Sequence, residues 1–235
     1  MSETVTASES RRRAVRSRRE AVPPLRSSPV LQGTSPRLLL RIHDPTVELI
    51  IWQRRLPYGL GHWLDALPPS QLPDGRVLVG KDSVLPAVLS ICAESSTPAC
   101  PLRRTFVEDV AAMARLFAGV MATDRIDLRL EAIDDDACWK FHRDCVEARL
   151  LTTYRGPGTE WIPPAQGERA LLRQRTFGGR IERLPTHAVG LFRGSCAEPA
   201  SGIVHRSPPI ARNGAVRLLL CLNMPTATSP EEWTG

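Results

Sequence analysis

The chain has 235 residues, 42% of them hydrophobic, enough to bury a substantial core in one domain of ordinary or slightly large size. No stretch reaches the roughly 20 consecutive apolar residues of a membrane span, because Arg and Asp interrupt every candidate, including Leu38 to Trp52. The formal charge of +6 is uneven: residues 1–36 hold seven Arg and three Glu, so the remainder is only weakly basic, and nucleic-acid binding is not expected except through that basic N-terminal tail.

The six cysteines form no C-x-x-C pair and show no zinc-finger spacing, and a chain of this size needs no disulfide framework. Reduced thiols and a cytoplasmic location are the expectation. The first 20 residues cluster Arg without an apolar h-region, which argues against a secretory signal, and Glu3, Glu9 and Glu20 argue against a transit peptide.

In chain order, residues 1–36 are rich in Ser, Arg and Pro with almost no periodic apolar content, so they are expected to form a disordered tail, either solvated or touching an acidic partner or nucleic acid. Residues 37–125 read as an N-terminal α/β support segment, part of the same domain as residues 126–224. Within it, Val47 to Trp52 suits a strand and Gly59 to Leu67 a short helix before Pro68-Pro69, while Phe106 to Met121 carries a helical apolar stripe that should pack on a sheet. From Ile126 the period changes: Ile126, Leu128 and Leu130 alternate with polar residues, and short strand-like segments separated by Gly and Pro continue to Met224. Residues 126–224 therefore read as a β-rich core of sandwich or barrel type, giving an α+β or mainly β protein with packed helices. Residues 225–235 read as a loose C-terminal tail.

The chemistry-bearing pattern is Phe141-His142-Arg143-Asp144, followed 61 residues beyond Asp144 by His205 in Val204-His205-Arg206-Ser207-Pro208-Pro209, and 12 residues later by Arg217 in an apolar run. In an extended segment His142 and Asp144 point to one side, so both reach one cation while Trp139 and Phe141 take the other face. Taken alone, an H-x-D pair is as well explained by a surface salt bridge, and a lone His205 by a structural hydrogen bond. Together, two imidazoles and a carboxylate are the ligand set of a non-haem iron facial triad, which leaves positions open on the metal. The same donors also suit zinc.

Arg217 opens Leu218-Leu219-Leu220-Cys221-Leu222, a strand apolar on both faces. A buried guanidinium needs an anion: either a ligand carboxylate held bidentately or an internal partner, Glu147 or Glu160. In the strand Leu150 to Tyr154, alternation groups Leu150, Thr152 and Tyr154; either Thr152 and Tyr154 face the cavity and hydrogen-bond an organic acid, or Tyr154 is a core residue. Arg155 to Trp161 is a Gly/Pro turn that is either a lip over the pocket or a structural corner. His43, His62 and His187 lack a carboxylate or Cys at ligand spacing and read as structural, and Cys145 reads as an unoxidised bystander. Walker A, nucleophile-elbow, H-E-x-x-H and Rossmann patterns are absent.

Taken together, H-x-D, a strand ending in Leu191-Phe192-Arg193-Gly194, the distal His205 and the Arg217 beyond it resemble the core of the Fe(II)/2-oxoglutarate-dependent oxygenase superfamily across residues 126–224. That resemblance implies a double-stranded β-helix, or jelly roll. It implies His142, Asp144 and His205 on Fe(II), Arg217 on the far carboxylate of 2-oxoglutarate, and Tyr154 or Thr152 assisting there. It further implies hydroxylation, or demethylation through hydroxylation, of an unknown substrate near Trp139, Arg155 and Trp161. The interval from His205 to Arg217 is slightly longer than that superfamily's usual spacing, with Asn213-Gly214 available as a turn to absorb the excess.

The segment Thr153 to Trp161 is also similar to the hallmark of a bacterial family known as a domain of unknown function, number eighteen twenty-six. Members are sometimes encoded beside zinc-linked metallochaperone GTPases. That association suggests the alternative of a zinc-binding protein in metal homeostasis, without oxygen chemistry.

Overall fold

The computed structural model describes residues 28–196 and 202–235. Seven strands form one mixed sheet. In chain order they are β1 (Val30–Gly33), β2 (Leu49–Trp52), β3 (Gly75–Gly80), β4 (Arg125–Ile133), β5 (Ala148–Arg155), β8 (Val189–Arg193) and β10 (Arg217–Asn223), with spatial order β1-β2-β8-β5-β10-β4-β3. Among these seven strands only β1 and β2 pair in parallel. A smaller sheet has the order β7-β6-β9, from β6 (Glu160–Trp161), β7 (Glu182–Arg183) and β9 (His205–Arg206). The helices are α1 (Leu60–Ala66), α2 (Val84–Glu94), α3 (Pro101–Met121) and α4 (Gly167–Arg173). The chain is thus mixed α+β, and strands from 30–80 join the same sheet as strands from 125–223, so the support segment and the β-rich core share one sheet.

Helix α3 forms where the apolar stripe predicts it and starts five residues earlier. Pro101 occupies the first turn, where its missing N–H is no loss, and the Cys100 thiol accepts from the Arg103 N–H. The helix stops at Ala122 in the left-handed conformation, φ 50°. Helix α2 has no counterpart among the elements the sequence suggests, because Pro86 obscures a stripe of Val84, Ala87, Val88 and Ile91. That proline lies in the first turn, where it is tolerated. Helix α4 likewise interrupts what the sequence presents as a succession of short strands.

The large sheet has two different faces, and alternation along each strand assigns side chains to them. On one face Leu218, Leu220 and Leu222 of β10, Ile126, Leu128 and Leu130 of β4, and Val189 and Leu191 of β8 join α1, α2 and α3 in the main core. On the other face Leu219 and Cys221 of β10, Leu151 of β5 and Phe192 of β8 join Leu184, Ile203 and Ile210 in a second core, against which Trp161 of β6 packs. At about 1.5–3 kcal/mol for each fully buried large apolar side chain, the first face supplies most of the apolar stabilisation. The second is partly polar.

Several expectations are corrected by these contacts. Residues 30–33, placed in the tail, form the edge strand β1; residues 1–27 lie outside the described residues. Residues 225–235 are docked rather than loose: the Trp233 N–H donates to the Leu78 carbonyl at 2.7 Å and the Ser229 hydroxyl to Asp127 at 2.7 Å. In β5 it is Ala148, Leu150 and Tyr154 that face the helices. The Tyr154 hydroxyl donates to Asp109 on α3 at 2.5 Å and its ring meets Phe106 edge-on, so Tyr154 is a core residue, not a cavity residue. Thr152 shares that parity and donates to the His187 carbonyl at 3.4 Å. Arg155 caps the end of α1, donating to the Leu64 and Leu67 carbonyls, so it does not line a substrate pocket.

Asp109 also accepts two bonds from Arg54, at 2.7 and 2.8 Å, with side chains only 5% and 11% exposed. Burial first, then the Asp109 charge, pushes the Tyr154 hydroxyl well above its ordinary pKa, so it stays a donor. Removing the carboxylate leaves Arg54 buried and unpaired. Asp109→Ala is therefore expected to cost about 3–5 kcal/mol in urea denaturation, against about 1 kcal/mol for Tyr154→Phe, which leaves the ion pair intact.

Candidate metal centre

His142 and His205 are brought together by backbone pairing. Each donates its N–H to the other's carbonyl at 3.0 Å, in an isolated antiparallel bridge. Residues directly opposite in such a pair project to the same side about 5 Å apart, and the two imidazole centroids lie 4.7 Å apart. Asp144, two residues beyond His142 on extended chain, returns to that side. One nitrogen from each His and one carboxylate oxygen all lie within 4.8 Å of one another. The structure thus brings His142, Asp144 and His205 together.

The rings are oriented for ligation. His142 Nδ1 lies 2.8 Å from the Lys140 carbonyl and His205 Nδ1 lies 2.9 Å from the Ile203 carbonyl. A carbonyl only accepts, so both Nδ1 atoms carry protons, and in the neutral rings both Nε2 atoms keep a lone pair, 3.7 Å (His142) and 3.2 Å (His205) from an Asp144 oxygen. His205 Nε2 faces Asp144 Oδ2 at 3.2 Å, yet that buried oxygen has no hydrogen bond of acceptable geometry. Two lone-pair atoms at this distance repel unless a cation lies between them. A backbone carbonyl holding the far ring nitrogen is the usual outer support of a metal-bound His. The residues therefore fit a divalent ion.

The surroundings hold this arrangement in place. Asp144 and His205 are 4% exposed and His142 about a third exposed, leaving one open side. The His205 ring packs on Phe192 of β8 at 4.8 Å. Arg149 of β5 donates to Asp144 Oδ1 and, through Nε, to Asn223 at 2.8 Å, leaving Oδ2 as the available oxygen. Burial works to raise the Asp144 pKa, but contact with His205 and His142 in their protonated forms, together with the Arg149 charge, outweighs it, and the net shift is downward. Burial, then the neighbouring His205, lowers the His142 pKa below the ordinary imidazole value. Both shifts favour the deprotonated forms a metal requires.

Beside the two histidines lies a cavity of about 260 Å³ between the sheets, with Arg149, Leu151, Thr159 and Ser207 also in its wall. Arg217 is fully buried. Its Nε donates to the Pro157 carbonyl at 2.8 Å and its terminal nitrogens to the hydroxyls of Ser207 at 2.9 Å, Thr159 at 3.3 Å and Thr153 at 3.4 Å. Neither suggested internal partner pairs with it: Glu160 is held by Arg183 and Arg206, and no carboxylate among the described residues forms a salt bridge with Arg217. Burial, partly opposed by the charge of Glu131, lowers its pKa to about 10, so it remains charged at neutral pH. Its partners Thr159 and Ser207 line the cavity, and Gly156 must be glycine there, because at φ 80° a Cβ would sit 2.6 Å from the Val216 carbonyl and 3.1 Å from the Arg217 side chain.

The remaining expected pocket residues divide. Trp161 pairs with His205 across β6 and β9, and its indole N–H is buried without an acceptor among the described residues. Trp139 lies in a neighbouring groove with Arg175 stacked 4.3 Å over its ring; Arg206 lines both this groove and the cavity. Arg149 and Thr153 were not picked out from sequence. The available signal was an arginine at the start of a buried strand, on the parity of Leu151 and Thr153.

No curated protein matches the chain. Among solved structures, a full-length Neurospora crassa protein in complex with alpha-KG is similar at 13% identity and TM-score 0.38, with 83% of each chain covered. A Pseudomonas putida prolyl-4-hydroxylase is similar at 10% identity and TM-score 0.32, covering 73% of this chain and 98% of its own. Likenesses this distant carry no argument about the site. The family described as "Protein of unknown function (DUF1826)" matches residues 33–223, and the chain belongs to that family.

Proposed function

We propose that the chain is a non-haem Fe(II)- and 2-oxoglutarate-dependent oxygenase acting on a small-molecule or other substrate in the cavity beside His142 and His205, on a jelly-roll-type core. The observation that carries this reading is a three-ligand cluster beside a cavity whose wall also holds Thr159 and Ser207, the hydroxyls bonded to a buried arginine, Arg217, that has no carboxylate partner among the described residues. Three protein ligands leave open positions on a metal, and a guanidinium fork complements a carboxylate.

In this reading His142 Nε2, His205 Nε2 and Asp144 Oδ2 hold the metal, with Arg149 fixing the carboxylate by its other oxygen. Arg217 holds the far carboxylate of the cosubstrate, and the hydroxyls of Ser207, Thr159 and Thr153 rotate to share its protons. Leu151 and Leu219 keep that part of the cavity apolar, which strengthens the ionic contact by excluding water. Trp161, opposite His205 in the small sheet, keeps a buried N–H that has no acceptor among the described residues. When bound, iron and 2-oxoglutarate supply the oxidising chemistry, with succinate and carbon dioxide as by-products; positioning and electrostatics are the protein's share.

The donor set is equally acceptable to zinc, which makes a zinc-binding protein without oxygen chemistry the rival reading. Succinate release with Fe(II) and 2-oxoglutarate decides between them. Wild-type protein is expected to release succinate, and Asp144→Ala to fall to the metal-free background. Equal output from both proteins, or tightly held zinc after anaerobic purification with no 2-oxoglutarate affinity, would favour the rival.

Arg217→Lys should retain metal but raise the KM for 2-oxoglutarate about tenfold or more, since a hydrogen bond to a charged group contributes about 1.5–3 kcal/mol. An unchanged KM would remove Arg217 from the cosubstrate site.

Acid should weaken the metal-free centre. The native His142 pKa lies below its unfolded value of about 6.5, so the neutral ring adds stability above that pH and loses it as pH falls toward the native value. Asp144, also lowered, adds a further loss only in stronger acid, below its unfolded value of 3.8. The Tm should therefore drop between about pH 7.5 and about pH 5, and drop less in His142→Ala. A drop of the same size in that variant would assign it to other groups.

A further inference from the structure

The loops that carry the ligands also bring two thiols together. Cys145 and Cys196 are both exposed, and their sulfurs lie 3.4 Å apart although 51 residues separate them in the chain. Cys92 and Cys221, by contrast, are sealed in the two cores.

The approach is imposed by backbone contacts. The Ser195 N–H donates to the Asp144 carbonyl at 2.8 Å, the Cys196 N–H to the Val146 carbonyl at 3.2 Å and the Gly194 N–H to the Glu147 carbonyl at 2.9 Å. The Ser195 hydroxyl adds a second bond to the Asp144 carbonyl at 3.0 Å. These bonds run along residues 144–147, and a Cβ on Gly194 would sit 1.9 Å from the Val146 carbonyl, so the two segments touch closely. A disulfide needs its sulfurs about 2.05 Å apart, so closing the present gap takes a little over an ångström, within reach of side-chain rotation at two exposed residues.

We propose that Cys145 and Cys196 form a thiol–disulfide site, which accepts oxidising equivalents from a low-molecular-weight disulfide and closes an intramolecular bridge next to Asp144. One cysteine, as its thiolate, attacks a sulfur of the small disulfide; that S–S bond breaks and a mixed disulfide forms, while the first small thiolate leaves and takes up a proton. The second cysteine attacks the protein sulfur of the mixed disulfide and releases the second small thiol in the same way. Two cysteine thiols are oxidised to one cystine, and one small disulfide is reduced to two thiols. The bridge pins the segment that carries the carboxylate to the turn after β8. Its formation does not depend on the metal reading, since neither sulfur is a proposed ligand.

The test equilibrates full-length protein with oxidised glutathione in excess, then alkylates, digests and maps the products by mass. The expected product lacks the mass of two hydrogen atoms, yields a peptide linking Cys145 to Cys196, and is absent in Cys145→Ser and in Cys196→Ser. Dithiothreitol should restore both thiols. Hydrogen exchange at the amides of residues 144–147 should slow about tenfold or more on oxidation, because the bridge restricts their local opening. Alkylation of both cysteines after this treatment, a separate glutathione on each, or a crosslink only between two copies would overturn the proposal. Unchanged exchange in a bridged protein would overturn the pinning. Succinate assays leave all of these readouts untouched.

Discussion

The reciprocal backbone pair between His142 and His205 is the contact on which the rest of the site depends. Two hydrogen bonds of 3.0 Å set both imidazoles on the same side of a two-strand junction, and the two-residue repeat of extended chain then returns Asp144 to that side. A slip of one residue in the 141–144 segment would send His142 and Asp144 away from His205 to the opposite face, where Phe141 now packs with Phe177, Ile162 and Val204. Register and chemistry are therefore the same constraint here. The apolar cluster that Phe141 anchors on one side holds the alignment of the polar atoms on the other.

The large sheet separates an apolar face from a partly charged one. The helix-covered face is almost wholly apolar, apart from Thr152 and the group in which Asp109 accepts from both Arg54 and Tyr154. The opposite face places Arg149, Thr153 and Arg217 among Leu151, Leu219 and Cys221, so charges sit in a setting where each needs a partner. Arg149 finds one in Asp144. Arg217 finds only hydroxyls and a carbonyl, a neutral shell around a positive charge, and its burial moves its pKa down. An anionic ligand in the adjoining cavity would complete the shell.

The elements were legible where one physical signal dominated. The α3 stripe, the alternation of β4 and the continuous apolar run of β10 each appear close to the expected bounds, because burial on one face, or on both, leaves a period in the sequence. Helix α2 was hidden by Pro86 in its first turn and β1 by a polar neighbourhood, since an edge strand needs little apolar content. In β5 the pairs Leu150 with Leu151 and Thr152 with Thr153 make the two faces nearly identical in composition. Alternation alone therefore could not say which face meets the cavity, and Tyr154 turned out to serve the helices.

By itself the sequence determined the candidate ligand types, the spacing of His142 and Asp144 along extended chain and the presence of a buried arginine, because these follow from local periodicity and from the cost of burying charge. Only the tertiary structure decided that His205 lies opposite His142, that Arg149 rather than a Thr152 and Tyr154 pair supports the site, that Arg155 belongs to the end of α1, and that Cys145 meets Cys196. Those outcomes depend on strand order and register between segments far apart in the chain, and no local pattern encodes which distant segment fills the neighbouring place in a sheet.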